Sequence, residues 1–214
     1  MRKIIGFRIE VRAHEVLRRA KKAGLKPEDA GLDSGKVELL IAGALKSANP
    51  AVLFETFPPT DPDSAQLSSM PGLAYSLILA TLGPGFEAAR AAAEQASPAQ
   101  AASREASSAE PHQEITLRPG AAWWGLIQDI ALDEIFRFAS GLIADEAAKE
   151  SCEISPLSKF TDAAVLERAL AKIDSAKIVV SLREGLLSPA PSSAASLSWL
   201  AKSTAKSTAK SRGK

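Results

Sequence analysis

The segment from Arg118 to Ser151, RPGAAWWGLIQDIALDEIFRFASGLIADEAAKES, constrains the fold more than any other part of the chain. Trp124, Ile127, Ala131, Ile135, Phe138 and Leu142 recur at helical spacing, and Leu132, Phe136 and Ile143 widen the stripe. Pro119 suits a first helical turn, where its missing N–H costs nothing. A helix of roughly 30 residues is about 45 Å long. An apolar face that wide predicts a central core helix, around which the remaining elements must pack.

Those elements can be read from their periods. KIIGFRIEV alternates Ile5, Phe7, Ile9 and Val11 against Arg8 and Glu10, which predicts a half-exposed strand. RAHEVLRRAKKAG predicts a helix ending near Gly24, and SGKVELLIAGALKSA a second one capped by Asp33 or Ser34. AVLFETF reads as a short strand. LAYSLILATL is apolar on both faces and predicts a central strand, followed by a Gly-Pro-Gly turn and the helix PGFEAARAAAEQ. CEISPLSKF reads as a loop. TDAAVLERALAKID predicts a helix capped by Thr161, KIVVSLR a strand, and AASLSWL a strand antiparallel to it. Strands and helices do not alternate regularly, so the fold class is α+β. One domain spans residues 1–200, with a low-complexity, flexible insertion at 96–114 and a disordered basic tail at 201–214.

Charge and cysteine content narrow the function classes. The 214 residues carry a net charge of +1, and the five tail cations leave residues 1–200 at −4. A basic tail interrupted by Ser, Thr and Ala, without a basic folded face, argues against nucleic-acid binding. Cys152 is the only cysteine, which suits a reducing cytoplasmic setting. No apolar run is long enough to predict a membrane span or a signal peptide.

Four features invite a chemical reading, and each has a structural one. The turn Gly83-Pro84-Gly85 lacks the lysine and hydroxyl of a phosphate loop, and Glu87 would repel a phosphate, so it reads as a close-packed strand-to-helix turn. Asp129 and Asp133, at i and i+4, share a helix face, but His14 and His112 are poorly placed to complete a metal site. Cys152 lies between Glu150 and Glu153, which disfavour a thiolate. The serines of SPAPSSAAS have no nucleophile elbow and no histidine partner, which excludes a hydrolase of that type.

In order, HEVLRRAKKAG, LILATLGPGFEAA, IQDIALDEIFRFASGLIADEAA and ISPLSKF followed by VVSLREGLLSPAPSSAASLSWL resemble the reactivation domain of cobalamin-dependent methionine synthase in a free-standing form. The likeness covers most of residues 1–200. It implies an α+β domain with a mainly antiparallel sheet and a long core helix. Such a domain binds S-adenosylmethionine in a cleft and presents its methyl group to cobalamin carried by a partner module, while an external reductant supplies an electron. The contribution is positioning rather than acid–base chemistry, and at most that of a methyltransferase subunit. Carried over onto this sequence, the ligand-binding positions are Asp133, Glu146, Ser155, Pro156, Leu157 and Ser158. The loop departs from the family pattern: Glu153 replaces an arginine, Leu157 a glycine and Ser158 a tyrosine. The resemblance therefore also implies an alternative, a non-catalytic docking protein for a corrinoid protein whose S-adenosylmethionine site has decayed.

Overall fold

Ala74–Thr81 (β3) is the spine of the computed structural model, which describes residues 1–95 and 120–202. All but its first residue are buried, because both faces of the sheet are covered at this strand. Ala51–Phe57 (β2) pairs with it antiparallel on one side and Ser192–Ala201 (β8) on the other. Arg2–Ile5 (β1) extends the sheet beyond β2, while Cys152–Ile154 (β4) and Ser158–Lys159 (β5) both pair with β8. Every pairing is antiparallel. Ser181–Arg183 (β6) and Leu186–Ser188 (β7) form a separate hairpin. The fold class is α+β, as the sequence predicts.

The period of two divides the sheet's side chains between two cores. Val52, Phe54, Ile78, Ala80, Ala195, Leu197 and Trp199 face one side, against Ala13–Lys22 (α1), Ser34–Lys46 (α2), Pro84–Gln95 (α4) and Ala121–Lys149 (α5). Leu53, Tyr75, Leu77, Leu79 and Ala194 face the other, against Ser64–Leu67 (α3) and Ala163–Lys172 (α6). The 29-residue α5 is the core helix that the apolar stripe predicts. Its face is turned from the expected one at Phe138, which is 41 % exposed and stacks on Phe7 with ring centroids 5.0 Å apart. Trp199 crosses the first core and donates its indole N–H to Ser76 at 2.9 Å.

Several local expectations are corrected. The strand expected over Lys3–Val11 stops at Ile5, because Gly6 turns the backbone into the left-handed region at φ +67°. CEISPLSKF is not a plain loop, since Ile154 and Lys159 lie in strands that pair with β8. The cap of α6 is Asp162, which accepts from the N–H groups of Ala164 and Val165, rather than Thr161. The start of KIVVSLR belongs to a 3-10 turn, Ser175–Ile178, and only Ser181 onward is strand. That strand pairs with Leu186–Ser188, while β8 lies beside β3. The insertion at 96–114 and almost all of the tail at 201–214 fall outside the described residues; Ala201 itself closes β8.

Candidate functional site

The residues singled out in the sequence fall into three separate environments. The first is centred on Asp133. Helical spacing along α5 brings this carboxylate out of the first core, toward α1 on one side and β5 on the other. Arg19 of α1 reaches one oxygen at 2.7 Å and Lys159 of β5 the other at 2.6 Å. Lys159 also sits 5.5 Å from the centre of the Phe136 ring, so its ammonium has a second attractive contact. Burial pushes the Asp133 carboxyl up, but the hydrogen bonds and charges of Lys159 and Arg19 outweigh it and hold the group below its ordinary value. Asp129, one turn away, moves the opposite way, because burial and the Asp133 charge outweigh the nearby cations. Asp133 is thus the centre of an ion-pair cluster, with Asp129 one turn away on the same helix face. Among the described residues no three His, Cys, Asp or Glu side chains gather as a metal site.

Asp133 also sets a testable acid response. With its folded value below the ordinary 3.8, its contribution is complete above that pH and is lost as pH falls through the folded value. Asp133→Asn is expected to lower stability at neutral pH by about 1 kcal/mol, a figure discounted because the carboxylate keeps contact with water. The gap between variant and parent should then narrow on acidification below about pH 4. Urea unfolding at a series of pH values measures both effects.

The second environment holds Ser155. It is 4 % exposed, and its hydroxyl accepts from the N–H of Ser198 at 2.9 Å, contacts the Ser69 hydroxyl at 2.9 Å and reaches the Pro156 carbonyl at 3.0 Å. Ser198 extends the cluster to the hydroxyls of Ser68 and Ser69, at 2.8 and 3.0 Å, and to both main-chain groups of Met70. These hydroxyls stitch the loop before β3 onto β8. A cavity of about 480 Å³ adjoins them, lined among others by Pro59, Ser64, Ser69, Met70 and Tyr75. Below its rim, Tyr75 donates to Asp61 at 3.0 Å, and Lys172 of α6 bridges Asp61 and Asp63 at 2.7 and 2.9 Å.

The third environment is Glu146, near the end of α5, which pairs with Arg2 of β1. Thirteen residues of helix, about 20 Å, separate it from Asp133.

The structure does not bring the predicted residues into one cleft. Ser198 alternates with Leu197 and Trp199 and so faces away from α5, and Ser155 joins Ser198 on that side. Lys159 is in register with Ala195, which faces α5, and meets Asp133 there. Asp133 and Ser155 therefore lie on opposite faces of the sheet. Leu157 packs into the core beneath α5, while Pro156 and Ser158 are exposed. Arg19, Ser69 and Ser198 were missed as partners. The only trace of the hydroxyl cluster in the sequence is the alternation of serines in SLSW and the pair in LSSMPG.

The glycine turn is a packing device. Asn49 of the loop after α2 donates its N–H to the Leu82 carbonyl at 2.8 Å, and the Gly83 N–H is taken by Thr81. Cys152 is buried, with its thiol directed to the Glu150 carbonyl. No helix among the described residues is long and apolar enough to cross a membrane. No protein-family model matches the chain, and no curated protein sequence matches it.

Proposed function

We propose that the chain is an accessory of the methionine synthase reactivation type, which docks onto the cobalamin-carrying module of a partner protein. The support is the order of four sequence patches along residues 1–200, together with their placement. LILATL is the buried central strand, its glycine turn launches α4, IQDIALDEIF is the core helix, and SLSWL returns beside the central strand. HEVLRRAKK lies in α1, so the patches follow one another through an antiparallel sheet with a long core helix.

One observation favours docking without methyl transfer. The side chains expected to hold S-adenosylmethionine are already committed to each other: Ser155 is buried in hydrogen bonds, and Asp133 is clamped between Arg19 and Lys159 on the far side of the sheet. A zwitterionic ligand at Asp133 would have to break two close ion pairs, and the loop offers Glu153 where a carboxylate needs a cation. The second reading keeps the methyl donor but seats it in the 480 Å³ cavity beside Ser69, a volume in the range of small-molecule sites. There it would serve remethylation of a partner's cobalamin after an external reductant has acted.

The purified chain, immobilised and offered the isolated cobalamin-binding module of a methionine synthase, tests both. Retention of the module with or without S-adenosylmethionine, and no heat when S-adenosylmethionine is titrated into the chain alone, is the expected result. Saturable heat that disappears in a variant filling the cavity, Ser69→Trp, would bring the second reading forward. Retention no better than that of an unrelated protein would end the docking assignment.

A further inference from the structure

The segment Phe7–Val11 behaves as half of a strand pair. Its burial alternates, with Phe7, Ile9 and Val11 partly buried against the first core and Arg8 and Glu10 exposed. This is the pattern of an extended chain on the surface of a core. Yet among the described residues none of its main-chain N–H or C=O groups has a main-chain partner. The last main-chain bond before it is Gly6 N–H to Pro50, and the next is made by the Arg12 carbonyl, which opens α1. Two shallow grooves of about 300 and 220 Å³ run along it. Leu45 lines both, so helix α2 does not close over the segment.

Such an edge is a template for another strand, and its own side chains specify which one. In an antiparallel pair centred on Ile9, Phe7 lies opposite Val11, and Arg8 opposite Glu10, twice over. Opposed residues share a face, so both Arg–Glu pairs sit on the solvent side and the apolar residues stay toward the two cores. Exposed apolar side chains adjoin the segment: Ile5, 60 % exposed, precedes it, and Phe138, 41 % exposed, stacks on Phe7. We infer that Phe7–Val11 is the interface of a two-fold homodimer, formed by antiparallel strand addition with Arg8 of each copy paired to Glu10 of the other.

The charges make the test self-checking. Sedimentation velocity over a concentration series should give a monomer–dimer equilibrium for the full chain. Arg8→Glu and Glu10→Arg should each weaken the dimer by about tenfold or more, because two attractive cross-strand pairs become two repulsive ones. An equimolar mixture of the two variants should dimerise again, since each then supplies the charges the other lacks. The double variant, Arg8→Glu with Glu10→Arg, should dimerise like the parent. Both positions are exposed, so far-ultraviolet circular dichroism should match the parent throughout, and thermal melting should match it at concentrations where the parent is monomeric. A parent chain that stays monomeric at every concentration overturns the inference. So does a mixture that fails to restore the dimer the single variants lose, whether the real occupant is a foreign strand or another part of this chain.

Discussion

Gly85→Ala is expected to lower the unfolding free energy by about 3 kcal/mol, a loss at the upper end of what overpacking costs. A methyl group at this position would lie 2.3 Å from the carbonyl oxygen of Ser47, well inside contact distance, and that atom is main chain. A flexible side chain could swing aside; the end of α2 cannot. It is held by the bond from Asn49 N–H to the Leu82 carbonyl, on the same turn that carries Gly85, so the two segments would have to part together. Phe86, fully buried and set edge-on to Trp124 with centroids 5.5 Å apart, would be drawn out of the first core with them. A melting temperature lower by roughly 6–12 °C is the corresponding shift for a chain of this size. Gly43→Ala, on the exposed face of α2 with nothing within 4 Å, is the control and should be neutral or slightly stabilising. Equal melting of the Gly85 variant and the parent would mean that the glycine is free for another task, such as close approach of an anion.

What the sequence disclosed, and what it concealed, follows the range of the forces involved. α2 and α5 were legible because each buries a long periodic face, and β3 because an unbroken apolar run marks a strand covered on both sides; both signals are local. Asp33 was legible as a cap because its partner, the N–H of Lys36, is three residues away. Phe7–Val11 has the alternation of a strand, but alternation reports which side chains are buried, not whether the main chain has found a neighbour. Ile178 and Val180 are both buried, as a strand would require, yet the chain reaches that state through a 3-10 turn and a left-handed Val179 at φ +58°. β4 and β5, three and two residues long, are too short to show any period and exist because β8 offers them an edge.

The candidate site was less legible for the same reason. Asp133 was singled out by the face it shares with Asp129 and by the family resemblance, but its partners lie 114 residues before it and 26 after it. Ser155 was placed by likeness to a loop, and its main-chain neighbour Ser198 is 43 residues on. Nothing local to either residue records that a sheet runs between them. Sequence order alone does not record how polar side chains are spent: Ser155 and Asp133 are both engaged in internal bonds.

Ile135→Ala tests whether α5 is the element on which the rest depends. The side chain is fully buried at the middle of the helix, among residues contributed by the helical layer and the facing strands. Removing three carbons there forfeits their transfer energy and leaves a cavity, together about 2–5 kcal/mol. The higher part of that range is expected. α5 packs on the sheet and is tied at Asp133 both to α1 through Arg19 and to the sheet strand β5 through Lys159, so the helix cannot settle into the space. Asp133 sits two residues before Ile135 and shares that clamp. The double variant Ile135→Ala, Asp133→Asn should therefore lose less than the sum of the single losses, because freeing the clamp lets the cavity partly collapse. Urea unfolding of the parent, both single variants and the double variant yields the coupling directly. Strict additivity would mean that the ion pairs rest on the surface of the helix without holding it against the sheet.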